Sequence, residues 1–198
     1  MEVGNRIRSR QQAGVTLVEV LVTMVILAIG LLGLVALQAR VQILQAEAYQ
    51  RAQALMLLKD MAGRIANNRN NADDYLIGPD ASIGAPIPAD EDLDCPAAGD
   101  ERHETDLSEW CEALAGASES LDGGGNVGAM VGGRGCVEDI GPGEYLVTVA
   151  WQGLAPISAP PASVGCAAGL YDGADGSPCT GDLCRRVVTT VVIIPPLD

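Results

Sequence analysis

The longest apolar block of the chain covers residues 20–37, and Thr23 is its one polar member. A block of this length is close to what a helix needs to cross a bilayer. Three arginines precede it within the first ten residues, and basic residues favour the cytoplasmic side of a membrane. The pattern therefore predicts one spanning helix with a cytoplasmic N-terminus and the rest of the chain on the opposite side.

Helical patterning continues after this block, through residues 38–71. Neither Pro nor Gly interrupts the chain from Leu34 to Ala62, and good helix formers dominate the segment. Apolar residues recur at spacings of three and four, which predicts one helix over residues 16–67 with a stripe that packs on a core. The stripe consists of Leu37, Val41, Leu44, Ala48, Leu55, Leu58, Ala62 and Ile65, and Arg51 fills the one place that is skipped. A coiled-coil dimer is an alternative, which three heptads with weak Ala positions disfavour.

Residues 72–198 are expected to form a head domain. Residues 72–105 are rich in Pro, Gly and acids and are expected to be a loop. Asp106 is expected to cap a short helix that begins there. The apolar face of this short helix consists of Leu107, Trp110, Cys111 and Leu114. β-Branched and alternating runs predict strands at residues 136–140, 144–152 and 185–194. The fold class is therefore α+β, a long N-terminal helix packed on a small antiparallel sheet.

Charge is distributed unevenly along the 198 residues, whose net formal charge is -14. From residue 70 onward there are 22 acidic residues and four arginines, a net of -18. A head this acidic repels phosphate backbones, which argues against nucleic-acid binding. The simplest interpretation of the acids is a solvated surface. A single His also argues against acid–base catalysis, so we expect neither an enzyme nor a cofactor.

Six cysteines follow the apolar block, and an even count beyond a membrane span indicates an oxidising compartment such as a periplasm. A Cys95–Cys111 bond would tie the predicted loop to the short helix, and pairing among the other four stays open. Those four are Cys136, Cys166, Cys179 and Cys184.

Three ligand sites are weaker alternatives. A zinc site would combine Cys179 and Cys184 with Cys166 or Cys136, but disulfides suit an exported chain better. Residues 171–176 have acids beside glycines but lack the calcium-loop spacing. The glycine-rich residues 123–135 lack the lysine of a phosphate-binding loop.

Glu19 lies just ahead of the apolar block, where a carboxylate is costly unless it is paired or shallow. A cleaved secretory signal would have a shorter apolar region followed by a small-x-small cleavage site. A plain signal-anchor accommodates Glu19 only at headgroup depth. A third interpretation accounts for the basic leader, the long block and the acid together.

The segment from Arg6 to Glu19 resembles the class III signal of type IV prepilins: a basic leader, Gly14, an apolar residue, and Glu as the fifth residue after the cut. The resemblance implies that a prepilin peptidase cuts after Gly14 and methylates the new N-terminus, Val15. The family more often has Phe at the position of Val15. The resemblance also implies that Glu19 pairs with a neighbour's N-terminal amine and sets the axial register of the helices in a fibre. Gly30 and Gly33 are candidates for close helix packing, with ordinary membrane-helix packing as the alternative.

The resemblance extends along residues 14–72, through the Ile29-Gly30-Leu-Leu-Gly33 stretch and the following Gln38-Ala-Arg40, to the Asp106-Leu-x-x-Trp110 helix and the late VTVAW strand. In these parts the chain resembles PilV, the minor-pilin family called type IV pilus modification protein. That resemblance implies a pilin-like fold and no enzymatic activity. It also implies work with other minor pilins and the major pilin to prime assembly and present a tip adhesin.

The domain organisation that follows is a cleaved leader at 1–14, a membrane or fibre-core helix at 15–37, its amphipathic continuation at 38–71 and a disulfide-bonded periplasmic head at 72–198. Before assembly the chain would sit in the inner membrane, and afterwards in the pilus at the cell surface. A minor pseudopilin of type II secretion or DNA uptake shares the leader and Glu19. A signal-anchored periplasmic binding module would also fit the acidic head.

Overall fold

The structure is a computed structural model that describes residues 16–85, 95–116 and 130–195. The chain divides into two compact units, residues 1–44 and residues 45–198. The described elements are one long helix, one short helix, two 3-10 segments and a four-stranded antiparallel sheet. The predicted α+β class, a long N-terminal helix with a small antiparallel sheet, is confirmed.

Helix α1 covers Leu17–Asn67, as the uninterrupted helical pattern predicts. At its start, the backbone N–H of Glu19 donates to Thr16 Oγ1 at 3.3 Å, which satisfies one of the donors that a first turn leaves free. At its end, the N–H of Asn68 still bonds to the carbonyl of Arg64 at 3.0 Å. A 3-10 helix at Arg69–Tyr75 follows, so the run of asparagines ends the α-helix without ending helical turns.

The buried face of α1 differs from the predicted stripe. All buried residues of the helix lie after residue 44: Gln50, Ala54, Leu58, Met61 and Ile65. Leu58 and Ile65 belong to the prediction, whereas Leu55 is 39% exposed. The predicted stripe follows a strict seven-residue repeat, which drifts around an α-helix of 3.6 residues per turn. Gln50 and Ala54 precede Leu58 at four-residue spacing and therefore lie on the same face of the helix. A polar Gln and a small Ala are not expected there from side-chain hydrophobicity.

The sheet has the order β1-β2-β3-β4, with every neighbouring pair antiparallel. Its strands are β1 (Ile83–Gly84), β2 (Arg134–Gly141), β3 (Glu144–Gln152) and β4 (Arg185–Ile193). Strands β2 and β3 form a hairpin whose turn includes Gly143 at φ 72, a backbone conformation that favours glycine. The three long strands match the predicted ones within two residues, and β1 was not predicted.

Helix α2 covers Arg102–Leu114, so the predicted start at Asp106 is wrong. The backbone N–H of Glu101 donates to Glu104 Oε2 at 3.1 Å, which places the helix start four residues earlier. Asp106 is instead a buried residue inside the helix. The expectation that residues 72–105 are all loop is wrong as well, because the segment includes 3-10 turns, β1 and the start of α2.

Trp110 is at the centre of the core between α1, α2 and the sheet. Its ring is fully buried, and its Nε1–H donates to the backbone carbonyl of Leu57 at 3.0 Å. A Cβ built on Gly135 of β2 would stand 2.2 Å from the ring. Only glycine therefore lets the strand pass this close to the indole.

Candidate functional site

The N-terminal site combines the predicted cleavage position with the first turn of α1. Gly14 and Val15 lie outside the described residues. Glu19 is exposed in the unit that contains it, and its N–H bonds to the backbone carbonyl of Thr16 at 3.0 Å. Among the described residues, no cation is paired with the carboxylate of Glu19. Its chemistry is therefore that of an acid presented at the start of an apolar helix.

The part of α1 that follows Glu19 has an apolar surface. The large apolar side chains between Leu17 and Leu44 are exposed. The helix is long and apolar enough to cross a membrane. Because an isolated apolar surface of this extent is unfavourable in water, it requires lipid or other helices around it. This finding fits single-pass anchoring.

Gly30 and Gly33 lie on this surface three residues apart. A Cβ built at either position would meet nothing within 4 Å. Neither glycine is therefore required by a contact in the described chain. Small residues allow the backbone of a second helix to approach closely, and that role stays a prediction.

Arg64 joins α1 to α2 through several carboxylates. Its guanidinium donates to Asp60 at 2.9 Å, to Asp106 at 2.8 Å and to Glu109 at 2.7 Å. Burial by itself lowers the pKa of Arg64, but the three carboxylate bonds outweigh that effect and raise the pKa. The buried Asp106 also accepts a 2.6 Å bond from the hydroxyl of Tyr75. Every partner in this cluster is therefore engaged, which indicates a structural junction.

Glu47 connects α1 to the segment between β3 and β4. Its Oε1 accepts a hydrogen bond from the backbone N–H of Leu154 at 2.7 Å. Its Oε2 lies 3.5 Å from Nε of Arg186. One side chain of the amphipathic helix thus holds the beginning of the excursion and the beginning of β4.

Three disulfide bonds are present, and the described residues include no free cysteine. Cys95 is bonded to Cys111, the pair that the sequence analysis named. Cys136 is bonded to Cys166, and Cys179 to Cys184. The Cys136–Cys166 bond fixes the excursion, residues 153–184, across the sheet face that α1 does not cover. The second core cluster there contains Cys136, Ala150, Cys166, Ala167 and Tyr171.

Ligand chemistry finds little support in the described residues. They contain no group of three or more His, Cys, Asp or Glu side chains arranged to hold a metal ion, and all four cysteines of the weighed zinc site form disulfides. In residues 171–176, the calcium-loop alternative, the carboxylate of Asp172 accepts hydrogen bonds from the N–H groups of Gly181 and Asp182 at 2.9 and 2.8 Å. Asp172 therefore closes a turn. Most of the glycine-rich residues 123–135 lie outside the described residues.

Comparison with known proteins identifies the N-terminal segment. Residues 9–35 match the prokaryotic N-terminal methylation motif, which is typical of type IV pilin-like proteins. The match includes Gly14, Val15, Glu19, Gly30 and Gly33. No curated protein and no solved structure matches the chain. The motif supports a type IV pilin-like or pseudopilin-type protein, a class of structural subunits that a prepilin peptidase processes and that assemble with other pilins.

Sequence reasoning missed two residues that organise the head. Asp106 was expected to be a helix cap. The seven-residue pattern around Glu47 predicted packing roles only for its apolar neighbours. A signal for Asp106 was available, because Glu101 and Glu104 have the spacing of a reciprocal cap. No local signal exists for Glu47, whose partners Leu154 and Arg186 are both more than a hundred residues away.

Proposed function

We propose that this chain is a minor pilin of a type IV pilus, of the PilV kind. It is made as a membrane-anchored precursor, cut after Gly14 by prepilin peptidase and methylated at Val15. It then joins other minor pilins and the major pilin, primes fibre assembly and supports display of a tip adhesin for adhesion and twitching motility. The match of residues 9–35 to the methylation motif carries the processing and assembly steps of this proposal. The long head with six cysteines weighs towards a minor pilin rather than a pseudopilin.

Glu19 acts in this proposal as the register residue of assembly. After cleavage, Val15 has a cationic amine four residues before Glu19. A carboxylate among apolar helices is costly unless a cation neutralises it. A neighbouring chain's amine meets Glu19 at one axial stagger only, so pairing favours that stagger. The exposed position of Glu19 and the apolar surface that follows it support this role.

Intact-mass spectrometry of the membrane-extracted chain tests the processing step. With prepilin peptidase present, the mass should correspond to loss of residues 1–14 and gain of one methyl group. Without the peptidase, the full precursor should remain. An uncut N-terminus in both samples would reject the fibre-subunit proposal in favour of a signal-anchored protein.

Glu19→Ala tests the register step. Thr23→Ala is the matched control, because the Thr23 hydroxyl donates only to the carbonyl of Val20 within its own helical turn. The expected outcome is that Glu19→Ala is still cleaved but enters sheared fibres poorly, whereas Thr23→Ala assembles normally. Equal incorporation of the two variants would overturn the role of Glu19.

A minor pseudopilin shares the methylation motif, so the motif favours both subunit types equally. A deletion strain separates them. Loss of pilus-dependent motility with normal protein secretion supports the minor pilin. Normal motility with lost secretion or DNA uptake supports the pseudopilin instead.

A further inference from the structure

Strand β4 is the last strand of the sheet, and its outer edge is open. At the opposite edge of the sheet, β1 pairs with β2, and Ile77 adds an isolated bridge to Val137. No described residue pairs with β4 on the side away from β3. The edge strand at the other end has only two residues, so β4 is the one long edge strand of the sheet within the described residues.

The backbone groups at this edge follow from the pairing with β3. The N–H of Ile194 bonds to the carbonyl of Gly143, and the N–H of Gly153 bonds to the carbonyl of Cys184. Antiparallel pairs alternate between hydrogen-bonded and non-hydrogen-bonded positions. The backbone N–H and C=O groups of the even-numbered residues of β4 therefore point towards β3. The odd-numbered residues direct their N–H and C=O groups outward. From residue 187 to the end of the strand these are Val187, Thr189, Val191 and Ile193.

The side chains leave these groups accessible. Thr189 is exposed, and Val191 and Ile193 are 46% and 66% exposed. The outward backbone N–H and C=O groups of these three residues and of Val187 have no bonding partner in the described part of the chain. Four outward-facing residues thus form an unsatisfied row about as long as a short strand.

From residue 187 to residue 193, β4 has none of the features that block pairing at a sheet edge. Natural proteins protect edge strands with charges, prolines or bulges. Residues 187–193 contain neither a charged residue nor a proline. The register with β3 runs without a shift from Glu144↔Ile193 to Gln152↔Arg185. The edge is therefore a straight template, which is the geometry that β-strand addition uses.

The surroundings indicate the chemistry of the added strand. Leu146, beside Val191 in the pairing register, is only partly buried, which extends the apolar surface inward from the edge. Glu144 is exposed beside Ile193, and no described cation pairs with it. An occupant would therefore be uncharged along most of its length and would have Lys or Arg opposite Ile193. From there a long side chain can reach across β4 towards the carboxylate of Glu144, two strand spacings away.

A second copy of this chain fits less well. In antiparallel self-pairing about Thr189, Arg185 would be the cation nearest Glu144. The guanidinium of Arg185 is buried and donates to the carbonyls of Val164 and Cys166. Two heads that each have a net charge of -18 from residue 70 onward also repel one another.

We propose that the open edge of β4 binds an extended segment of a different protein, which adds antiparallel to β4 as a further strand of the sheet. The segment is uncharged opposite residues 187–191 and has Lys or Arg opposite Ile193, with its side chain directed across β4 towards Glu144. This proposal goes beyond assembly through the N-terminal helix and does not depend on cleavage, methylation or pilus type.

The test uses the full chain in detergent and two dye-labelled heptapeptides, acetyl-Lys-Val-Thr-Val-Thr-Val-Thr-amide and the same sequence with Glu in place of Lys. Fluorescence anisotropy should show saturable binding that is tighter for the Lys peptide and weaker at high salt. Glu144→Lys should reverse the preference between the two peptides.

Thr189→Pro and Thr189→Ala form the decisive pair. Proline removes an outward N–H without removing a bond to β3, because Thr189 faces away from that strand. Thr189→Pro should weaken binding by about tenfold or more, whereas Thr189→Ala should stay within about twofold. If Thr189→Pro does not melt cooperatively, Val191→Lys replaces it, because that side chain is already exposed.

Equal binding by the Pro and Ala variants, or no saturable binding by the Lys peptide, would overturn the proposal. Cross-linking of Thr189→Cys into a disulfide-linked homodimer at micromolar protein, with no displacement by the Lys peptide, would overturn it in favour of a second copy.

Discussion

Arg64 of α1 donates a 2.8 Å hydrogen bond to the carboxylate of Asp106 in α2, although the two residues are 42 positions apart in sequence. Asp106 is the buried partner, and its other oxygen accepts from the hydroxyl of Tyr75. This junction fixes the short helix against the long one. Asp106, which the sequence predicts to be a helix cap, is therefore part of the core.

Asp106→Ala should destabilise the fold strongly, because it leaves Tyr75 and part of Arg64 without an acceptor. We expect a loss of about 2 to 4 kcal/mol in the free energy of unfolding, measured by urea titration in detergent. Tyr75→Phe should cost about 1 kcal/mol. Glu109→Ala removes the more exposed partner of Arg64 and should cost less than about 1 kcal/mol. A larger loss for Glu109→Ala than for Asp106→Ala would contradict this account of the junction.

Leu58→Ala and Leu55→Ala test which face of α1 packs on the head. Leu58 is 3% exposed and Leu55 is 39% exposed. Truncating the buried leucine should cost about 2 to 5 kcal/mol, because it removes apolar contacts and leaves a cavity. The exposed leucine should cost less than about 1 kcal/mol. Thermal unfolding of the two variants would show the difference, and equal losses would favour the seven-residue stripe over the observed face.

The two disulfides of the excursion should differ in their contribution to stability. Cys136 and Cys166 are 30 residues apart, whereas Cys179 and Cys184 are five apart. Chain-entropy estimates give about 3.6 kcal/mol for the long loop and about 2 kcal/mol for the short one. Replacing each pair by alanine and comparing urea midpoints checks the order. A greater loss from the Cys179–Cys184 pair would show that local order around residue 180 matters more than loop closure.

Stability should fall at alkaline pH through two tyrosines. Burial and the bond to Asp106 raise the pKa of Tyr75 to about 12, and the bond to Asp73 with burial raises the pKa of Tyr145 to about 12. A phenol in the unfolded chain has a pKa of about 10. The stability contributed by the neutral phenols is therefore fully present below about pH 10 and is lost as the pH rises towards about 12.

Tyr145→Phe provides the check. At about pH 9 the variant should be less stable than the parent chain by about 1 kcal/mol, because the hydrogen bond to Asp73 is gone. The gap should narrow by about pH 11.5, where ionisation penalises only the parent. A gap that stays constant over this range would show that Tyr145 does not titrate with the expected shift.

Much of the fold could be predicted because its signals are local. The apolar block, the lack of Pro and Gly from Leu34 to Ala62 and the asparagines after Ile65 define α1 within a residue of its observed ends. Alternation and β-branching define β3 and β4 equally well. The helix start at Arg102 escaped prediction because Asp106 is the stronger single cap former, whereas the reciprocal bond of Glu101 and Glu104 depends on the path of the preceding chain.

The sequence by itself determined the chemistry of the N-terminus: a basic leader, Gly14, Val15 and an acid at position 19 ahead of an apolar helix. These are properties of contiguous residues, so no tertiary contact is needed to recognise them. Only the tertiary structure decided the buried face of α1, the partners of Asp106 and Glu47, and the open edge of β4. Each of these depends on groups that chain folding brings together from distant positions, where burial and hydrogen-bond geometry, rather than local propensity, set the free energy.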